Sequence, residues 1–341
     1  MKLLIVKLTS MGDLIQALPA VTDVRNARPD VYIDWVVDEA FAEIPQWHPA
    51  IHTVIKTAHR RWKDNLVKTL RLGELTQFWH QLRACQYDVV IDAQTNLKSA
   101  VVTAFCKGPK HGPDKASVRE YPAHWAYNHH YAIAVDQLAI DRWRELFAKV
   151  LAYPLPQTAP DFGLGGIDWP KPENLTTDPY LVAVTNASWD NKYWVDQHWR
   201  ELITLAGQAG FQVLLTCGSD EEFRRSSIIA KGLKNAQVLA KSTLTEMAAT
   251  LKGSSGAICM DTGLAHLSAA LDVPTVTLYG PTDPDLIGAT GRRSQHVVAA
   301  GFECIPCYRR ECVVPGYRGT ALCSLIILAR CFPIHMRRVS S

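Results

Sequence analysis

The chain has 341 residues, 48% of them hydrophobic and 20% charged, which suits two domains of ordinary size and excludes a disordered protein. Its formal net charge of +3 implies no nucleic-acid partner by itself. No run of about 18 apolar residues occurs, so no transmembrane helix is expected.

Met1-Lys2-Leu3-Leu4-Ile5-Val6-Lys7 reads as a first strand and not as a signal peptide. Short β-branched or apolar runs at residues 3–8, 32–37, 53–55 and 88–92 predict strands. Helical patterns at 14–27, 41–47, 62–83 and 97–106 lie between them, and a helix over about 136–152 closes this half. Such alternation predicts a parallel sheet covered on both faces. Pro154 to Pro179 is rich in proline and glycine and reads as a linker. Beyond it the alternation restarts, with strands at 181–185, 211–216, 237–239 and 256–260 and helices at 198–209, 221–232, 244–252 and 264–271. The expected fold is α/β: two Rossmann-like, doubly wound domains facing across a cleft. The expected boundaries are residues 1–155 for the first domain, 156–179 for the linker, 180–300 for the second and 301–341 for an atypical Cys-rich tail. In such open sheets, ligands bind beyond the carboxyl ends of the strands.

The most informative stretch is Asp261-Thr262-Gly263-Leu264-Ala265-His266, where a strand gives way to a helix. Free N–H groups and the helix dipole meet there, a setting that suits phosphate. The same pattern also describes a capped buried helix. Tyr279-Gly280-Pro281-Thr282-Asp283-Pro284 forms a turn that could close this site. At the first β–α junction, Lys7-Leu8-Thr9-Ser10-Met11-Gly12-Asp13 is neither a GxGxxG nor a Walker motif. It sets one carboxylate, Asp13, at a helix start, as a general base or as an N-cap. Thr185 to Trp194 offers small polar groups and Lys192, which suit a diphosphate. Among Gly218-Ser219-Asp220-Glu221-Glu222, one acid could accept bonds from ribose hydroxyls or simply face a helix dipole.

Lys56, Arg60, Arg61, Lys63, Lys68 and Arg71 are opposed locally only by Asp64. Trp62, Leu66 and Leu70 recur every fourth residue, so this segment reads as an amphipathic basic helix: an exposed face or a patch for an anionic lipid. No nucleic-acid motif accompanies it. Cys85, Cys106, Cys217 and Cys259 read as reduced core residues. Cys304, Cys307, Cys312 and Cys323 have a spacing that suits zinc or free thiols, and Cys331 follows them.

Ser10-x-Gly12-Asp13, Asp34-Trp35-Val36-Val37, Arg60-Arg61-Trp62, Ile91-Asp92-Ala93-Gln94, Lys192-Tyr193-Trp194 and Asp261-Thr262-Gly263-Leu264-x-His266 occur in an order that resembles the lipopolysaccharide heptosyltransferases, nearest those of type I. The resemblance runs from Met1 to about Gly291. It implies a GT-B glycosyltransferase that moves heptose from ADP-heptose to a Kdo sugar of Kdo-lipid A, with inversion, no obligatory metal and no other cofactor. By resemblance, Asp13 is the base and Lys192 neutralises the leaving diphosphate. Ala187, Ser188, Glu222, Asp261, Thr262, Gly263, Leu264 and His266 line the donor site, and Ser10, Gly12, Arg60, Arg61, Lys63 and Arg119 the acceptor site. It further implies a cytoplasmic location, peripheral on the inner membrane. The tail from about Glu303 departs from the type I ending and is closer to that of other members, type II included. A type II acceptor is therefore the near alternative, and a sugar-nucleotide epimerase the more distant one.

Overall fold

The computed structural model describes residues 1–170, 175–176, 178–299 and 303–312. The chain divides into two compact units, Met1–Ile167 and Asp168–Ser341.

In the first unit, strands β1 (Lys2–Val6), β2 (Tyr32–Asp38), β3 (Ile51–Thr57), β4 (Val89–Asp92), β5 (Lys110–Pro113) and β6 (His129–Tyr131) form one sheet in the order β3-β2-β1-β4-β5-β6. Every pairing is parallel. Leu3, Leu4, Ile5 and Val6 of central β1 are wholly buried, as a strand with helices on both faces requires. Val6 pairs with Val36 on one side and Asp92 on the other. The strand order reverses between β1 and β4, so the segments leaving these two strands emerge at the switch point, where α/β sheets bind ligands.

The second unit repeats the plan. Strands β7 (Tyr180–Val184), β8 (Gln212–Leu215), β9 (Ala236–Val238), β10 (Gly256–Met260), β11 (Thr275–Tyr279) and β12 (Ser294–Val298) lie in the order β12-β11-β10-β7-β8-β9. Its switch point falls between β7 and β10. Trp194 and Trp199 meet edge to face at 5.0 Å in a core with Ile203, Val213 and Leu215.

Several elements differ from expectation. Strands β5, β6 and β12 carry no apolar run that would announce them: β5 reads Lys-His-Gly-Pro and β6 His-His-Tyr. The helix expected over 14–27 is two helices, Met11–Ile15 and Leu18–Ala27, the second with proline in its first turn. The one expected over 62–83 is three, His59–Asp64, Leu66–Arg71 and Glu74–Arg83. Asn65 leaves the helical region and Gly73 sits at φ +67°, a conformation that glycine adopts without strain. Trp62, Leu66 and Leu70 therefore do not share one continuous helix, and the side chains of Leu66, Lys68 and Leu70 lie outside the described set.

Of the expected linker 156–179, residues up to Ile167 belong to the first unit. Buried Arg144 holds the carbonyls of Pro156 and Thr158 at 3.3 and 3.0 Å while its Nε pairs with Asp23 at 2.7 Å. Gly163, at φ +70°, packs so closely on His48 that a Cβ would come within 2.4 Å of its ring nitrogen. Cys323 and Cys331 of the expected Cys-rich tail lie outside the described residues.

Candidate active site

Each unit builds a candidate site at its own switch point. In the first, the chain leaves β1 and starts a helix at Met11. Asp13 Oδ2 accepts the Ser10 backbone N–H at 2.9 Å and the Ser10 hydroxyl at 2.7 Å, while Gly12 is buried in the same turn. Burial raises the Asp13 carboxyl, but the Lys7 charge, the two Ser10 bonds and the Arg119 charge outweigh it and hold the group below its usual range. Asp13 is thus ionised at neutral pH and able to take a proton.

In the sequence Lys7 is no more than a flank of the first strand. In the fold it is buried, donates from Nζ to the Ala93 carbonyl at 2.6 Å and lies 3.9 Å from the centre of the Trp143 ring. Burial pulls it down to about 8, against the opposing pull of Asp13 and Asp92. Asp92, at the end of β4, accepts the N–H groups of Gln94 and Thr95 and the hydroxyls of Ser99 and Tyr127. Gln94 Oε1 in turn accepts from Leu8 and Thr9, each at 3.1 Å. The Ile91-Asp92-Ala93-Gln94 motif thereby fixes the loop that presents Asp13.

Arg119 joins this group: its backbone N–H donates to Thr95 Oγ1 at 3.2 Å, and its charge acts on both Asp13 and Lys7. Arg60 and Lys63 are exposed on the helix His59–Asp64, with the Arg60 guanidinium 5.3 Å from the Phe41 ring centre. Asp64 is not the only acid that opposes the basic cluster, because the Arg61 guanidinium bridges Glu39 at 2.8 Å and Glu74 at 2.7 Å. Glu74 also accepts from the indole of buried Trp62 at 2.9 Å. Sequence distance hides these carboxylates, and the turn at Gly73 brings Glu74 back.

In the second unit, β10 ends at Met260 and a helix runs from Gly263 to Ala270. Thr262 stands at the N-cap position with no side-chain cap bond, and its buried Oγ1 has no partner. The capped-helix alternative would have used that hydroxyl on the helix. Here it is spare, beside the first N–H groups of the helix, where an anion is favoured. Gly263 and Leu264 form the first turn, and buried His266 the next. Asp261 Oδ2 accepts Lys192 Nζ at 2.6 Å and Thr282 Oγ1 at 2.6 Å. The turn after β11 therefore does close on this junction, and Lys192, from the loop after β7, is held beside it. Its ammonium also lies 4.6 Å from the centre of the Trp189 ring.

Beyond β7 and β8 opens a cavity of about 710 Å³, lined by Ala187, Ser188, Tyr193, Glu221, Glu222 and Arg225 among others. Its size is within the roughly 300–1,000 Å³ usual for small-molecule sites. Glu222 Oε2 accepts the Gly218 N–H at 2.7 Å, so its carboxylate faces the loop after β8. Arg225 is a cavity-lining residue that sequence reasoning misses. It donates to the carbonyls of Thr185 and Trp194, to Asn186 Oδ1 at 3.0 Å and to Asp196 at 2.6 Å, and covers the Tyr193 ring. One side chain thus ties both ends of the loop carrying Ala187, Ser188 and Lys192. Nothing local to residues 220–230 signals this role.

Cys304, Cys307 and Cys312 take part in no disulfide among the described residues. Among the described residues no group of three or more His, Cys, Asp or Glu side chains is gathered as a metal site.

Two Rossmann-like units, each with a junction at its switch point placed to bind a ligand, are the architecture of the GT-B glycosyltransferases. The model of glycosyltransferase family 9 (heptosyltransferase) matches residues 75–318. The chain is 45% identical over 316 residues to lipopolysaccharide heptosyltransferase 1 of Pseudomonas aeruginosa, covering 92% of this chain and 87% of that one. Against lipopolysaccharide heptosyltransferase 2 of Salmonella typhimurium the identity is 26%, over 84% of each chain. Its fold matches Escherichia coli heptosyltransferase WaaC with ADP, with TM-score 0.81, 43% identity and coverage of 87% and 92% of the two chains. A complex of the same Escherichia coli enzyme with ADP-2-deoxy-2-fluoro heptose matches with TM-score 0.79, 41% identity and coverage of 88% and 94%. The chain belongs to glycosyltransferase family 9, the heptosyltransferases.

Proposed function

We propose that this enzyme transfers L-glycero-D-manno-heptose from ADP-heptose to a Kdo residue of Kdo-lipid A, in one inverting step. The donor class is supported by the likeness to an enzyme solved with ADP and with an ADP-heptose analogue. The Kdo acceptor is supported by the 45% identity to the type 1 enzyme of Pseudomonas aeruginosa, against 26% to the type 2 enzyme of Salmonella typhimurium.

The carrying observation is the Asp13 carboxylate presented at the first switch point, its Oδ2 held by the Ser10 N–H and hydroxyl. In the proposed step Asp13 takes the proton of the acceptor hydroxyl. The hydroxyl oxygen bonds to the anomeric carbon as the bond from that carbon to the β-phosphate oxygen breaks, and its electron pair leaves with ADP. Lys192, the Thr262 hydroxyl and the N–H groups at Gly263 and Leu264 receive the developing diphosphate charge, the kind of preorganised stabilisation that lowers such a barrier. Glu222 meets the ribose, and Ala187 and Ser188 line the nucleotide. Ser10, Gly12, Arg60, Lys63 and Arg119 hold the anionic acceptor, with Arg61 bracing their helix through Glu39 and Glu74. We further propose that the diphosphate is stabilised without a metal. Undiminished turnover in a chelator is expected; dependence on added Mg²⁺ would refute this part.

The test is transfer from ADP-heptose to Kdo₂-lipid A. Asp13→Ala is expected to lower kcat by about 10²–10⁴ with ADP binding kept. Equal turnover by wild type and variant would remove Asp13 as base. Wild-type transfer only to heptosylated acceptors would replace Kdo by the type 2 acceptor, and release of an epimerised sugar without acceptor would replace transfer altogether. No helix among the described residues is long and apolar enough to cross a membrane. The lipid-borne acceptor is proposed to be met at the cytoplasmic surface of the inner membrane.

A further inference from the structure

The helix Leu97–Phe105 buries only one side. Ser99, Ala100, Val102 and Thr103 point inward, whereas Leu97, Val101 and Phe105 are 49%, 53% and 48% exposed. Steps of four put these three on one solvent-facing stripe. The short helix Tyr121–Ala126 packs against this helix and adds Tyr121 and Trp125, 54% and 72% exposed, with rings 6.1 Å apart. A single exposed apolar residue needs no account, but an apolar stripe flanked by an exposed tryptophan does.

The charge of this layer is net basic. Lys98 and Lys107 are exposed on or just after the helix. Lys115 is exposed with its ammonium 5.2 Å from the centre of the Tyr121 ring. Lys98, Lys107 and Lys115 outnumber the two nearby carboxylates, Glu120 and Asp114, which stay charged. Glu120 accepts the Leu97 N–H at 2.8 Å, and Asp114 accepts the Ser117 hydroxyl at 2.7 Å along with backbone N–H groups of its own turn. Apolar side chains, amphipathic rings and lysines on one face complement the boundary of an anionic bilayer, where acyl chains and phosphates lie within a few ångströms of each other.

We propose that the face formed by the helix Leu97–Phe105 and the turn Tyr121–Ala126 docks on an anionic lipid bilayer. Val101, Phe105 and Trp125 enter the headgroup boundary, and Lys98, Lys107 and Lys115 meet lipid phosphates. The inference rests on the reading that the acceptor is carried by a lipid. It places membrane contact outside the Lys56–Arg71 segment, whose Arg61 is already neutralised by Glu39 and Glu74.

The experiment is flotation of the full chain with vesicles of equimolar phosphatidylglycerol and phosphatidylethanolamine, beside vesicles of phosphatidylcholine alone. Wild type is expected to float with the anionic vesicles and to be released by high salt. Val101→Gln and Trp125→Gln are each expected to weaken binding roughly fivefold, and Lys115→Gln by a similar factor. All three are expected to keep the wild-type melting profile and turnover on detergent-dispersed acceptor. Equal flotation of the variants, or none by wild type, overturns the proposal. So does loss of self-association in Val101→Gln by sedimentation velocity, which would make the face an interface between copies. A lower melting temperature in Val101→Gln with unchanged flotation would show the face covered by the chain's own residues and would overturn the proposal as well. Wild type that transfers heptose but does not float refutes the surface alone; wild type that floats but transfers nothing refutes the functional reading alone.

Discussion

Replacing Lys7 by methionine separates stability from catalysis. Burial lowers the ammonium from its ordinary 10.5 to about 8, so the protonated form is disfavoured in the folded chain by roughly 3 kcal/mol at neutral pH. Between about pH 8 and 10.5 the unfolded chain binds the extra proton. Stability therefore rises with pH across that window, and below it the cost is fully present. Lys7→Met removes this cost and keeps the packing on Trp143, but it leaves the Ala93 carbonyl without its 2.6 Å donor, a loss of roughly 1–3 kcal/mol. The expected net change lies between none and a gain of roughly 2 kcal/mol, as when a buried charge gives way to an apolar isostere. Catalysis should move the other way. Asp13 loses the first of the charges that hold its carboxyl low, so the acidic limb of the kcat/KM profile should shift to higher pH and turnover at pH 6 should fall. Urea unfolding and the pH–rate profile measure the two effects. A loss of more than roughly 2 kcal/mol would show that the burial cost had been overstated, and an unmoved acidic limb would refute the coupling of Lys7 to Asp13.

Thr262→Val should weaken ADP binding about tenfold or more, the value of one hydrogen bond to a charged group, with no loss of stability, because its Oγ1 has no partner within the fold; isothermal titration beside thermal melting checks both halves. Asp23→Ala strands the buried Arg144 guanidinium, and roughly 3–5 kcal/mol should be lost in denaturant unfolding, while turnover per folded molecule stays unchanged. His48 accepts the Ala50 N–H and contacts Thr22 Oγ1, and burial lowers it to about 4. The unfolded chain then holds more protons between about pH 4 and 6.5, so stability should fall by up to roughly 3 kcal/mol as pH drops through that window. His48→Gln should flatten that slope; an unchanged slope would assign it to other groups. Arg225→Met should raise KM for the donor far more than it lowers kcat at saturation, since the guanidinium ties down the loop but is assigned no part in the bond exchange; a fall in kcat alone would refute that division.

The alternation of short apolar strands with longer helical patterns is enough to establish two Rossmann-like domains, because burial on both faces writes a strand into the sequence as an unbroken apolar run. The junctions at Asp13 and Asp261 to His266 are legible for a related reason. A strand end, a glycine and a helix start are local events, and the chemistry of a phosphate cradle or a presented carboxylate is local too. The strands Lys110–Pro113 and His129–Tyr131 are not legible, since their place near the sheet edge demands backbone pairing and not apolar side chains. What only the tertiary structure decided are pairings across long chain separations. Lys7 lies in the field of Asp13 and Asp92, Arg61 meets Glu39 and Glu74, Arg225 straps the loop from Thr185 to Asp196, and Thr282 reaches Asp261. A charged residue carries no mark in sequence of the partner that will neutralise it, because Coulomb energy depends on distance through space and on burial, and both arise only once the sheets have formed.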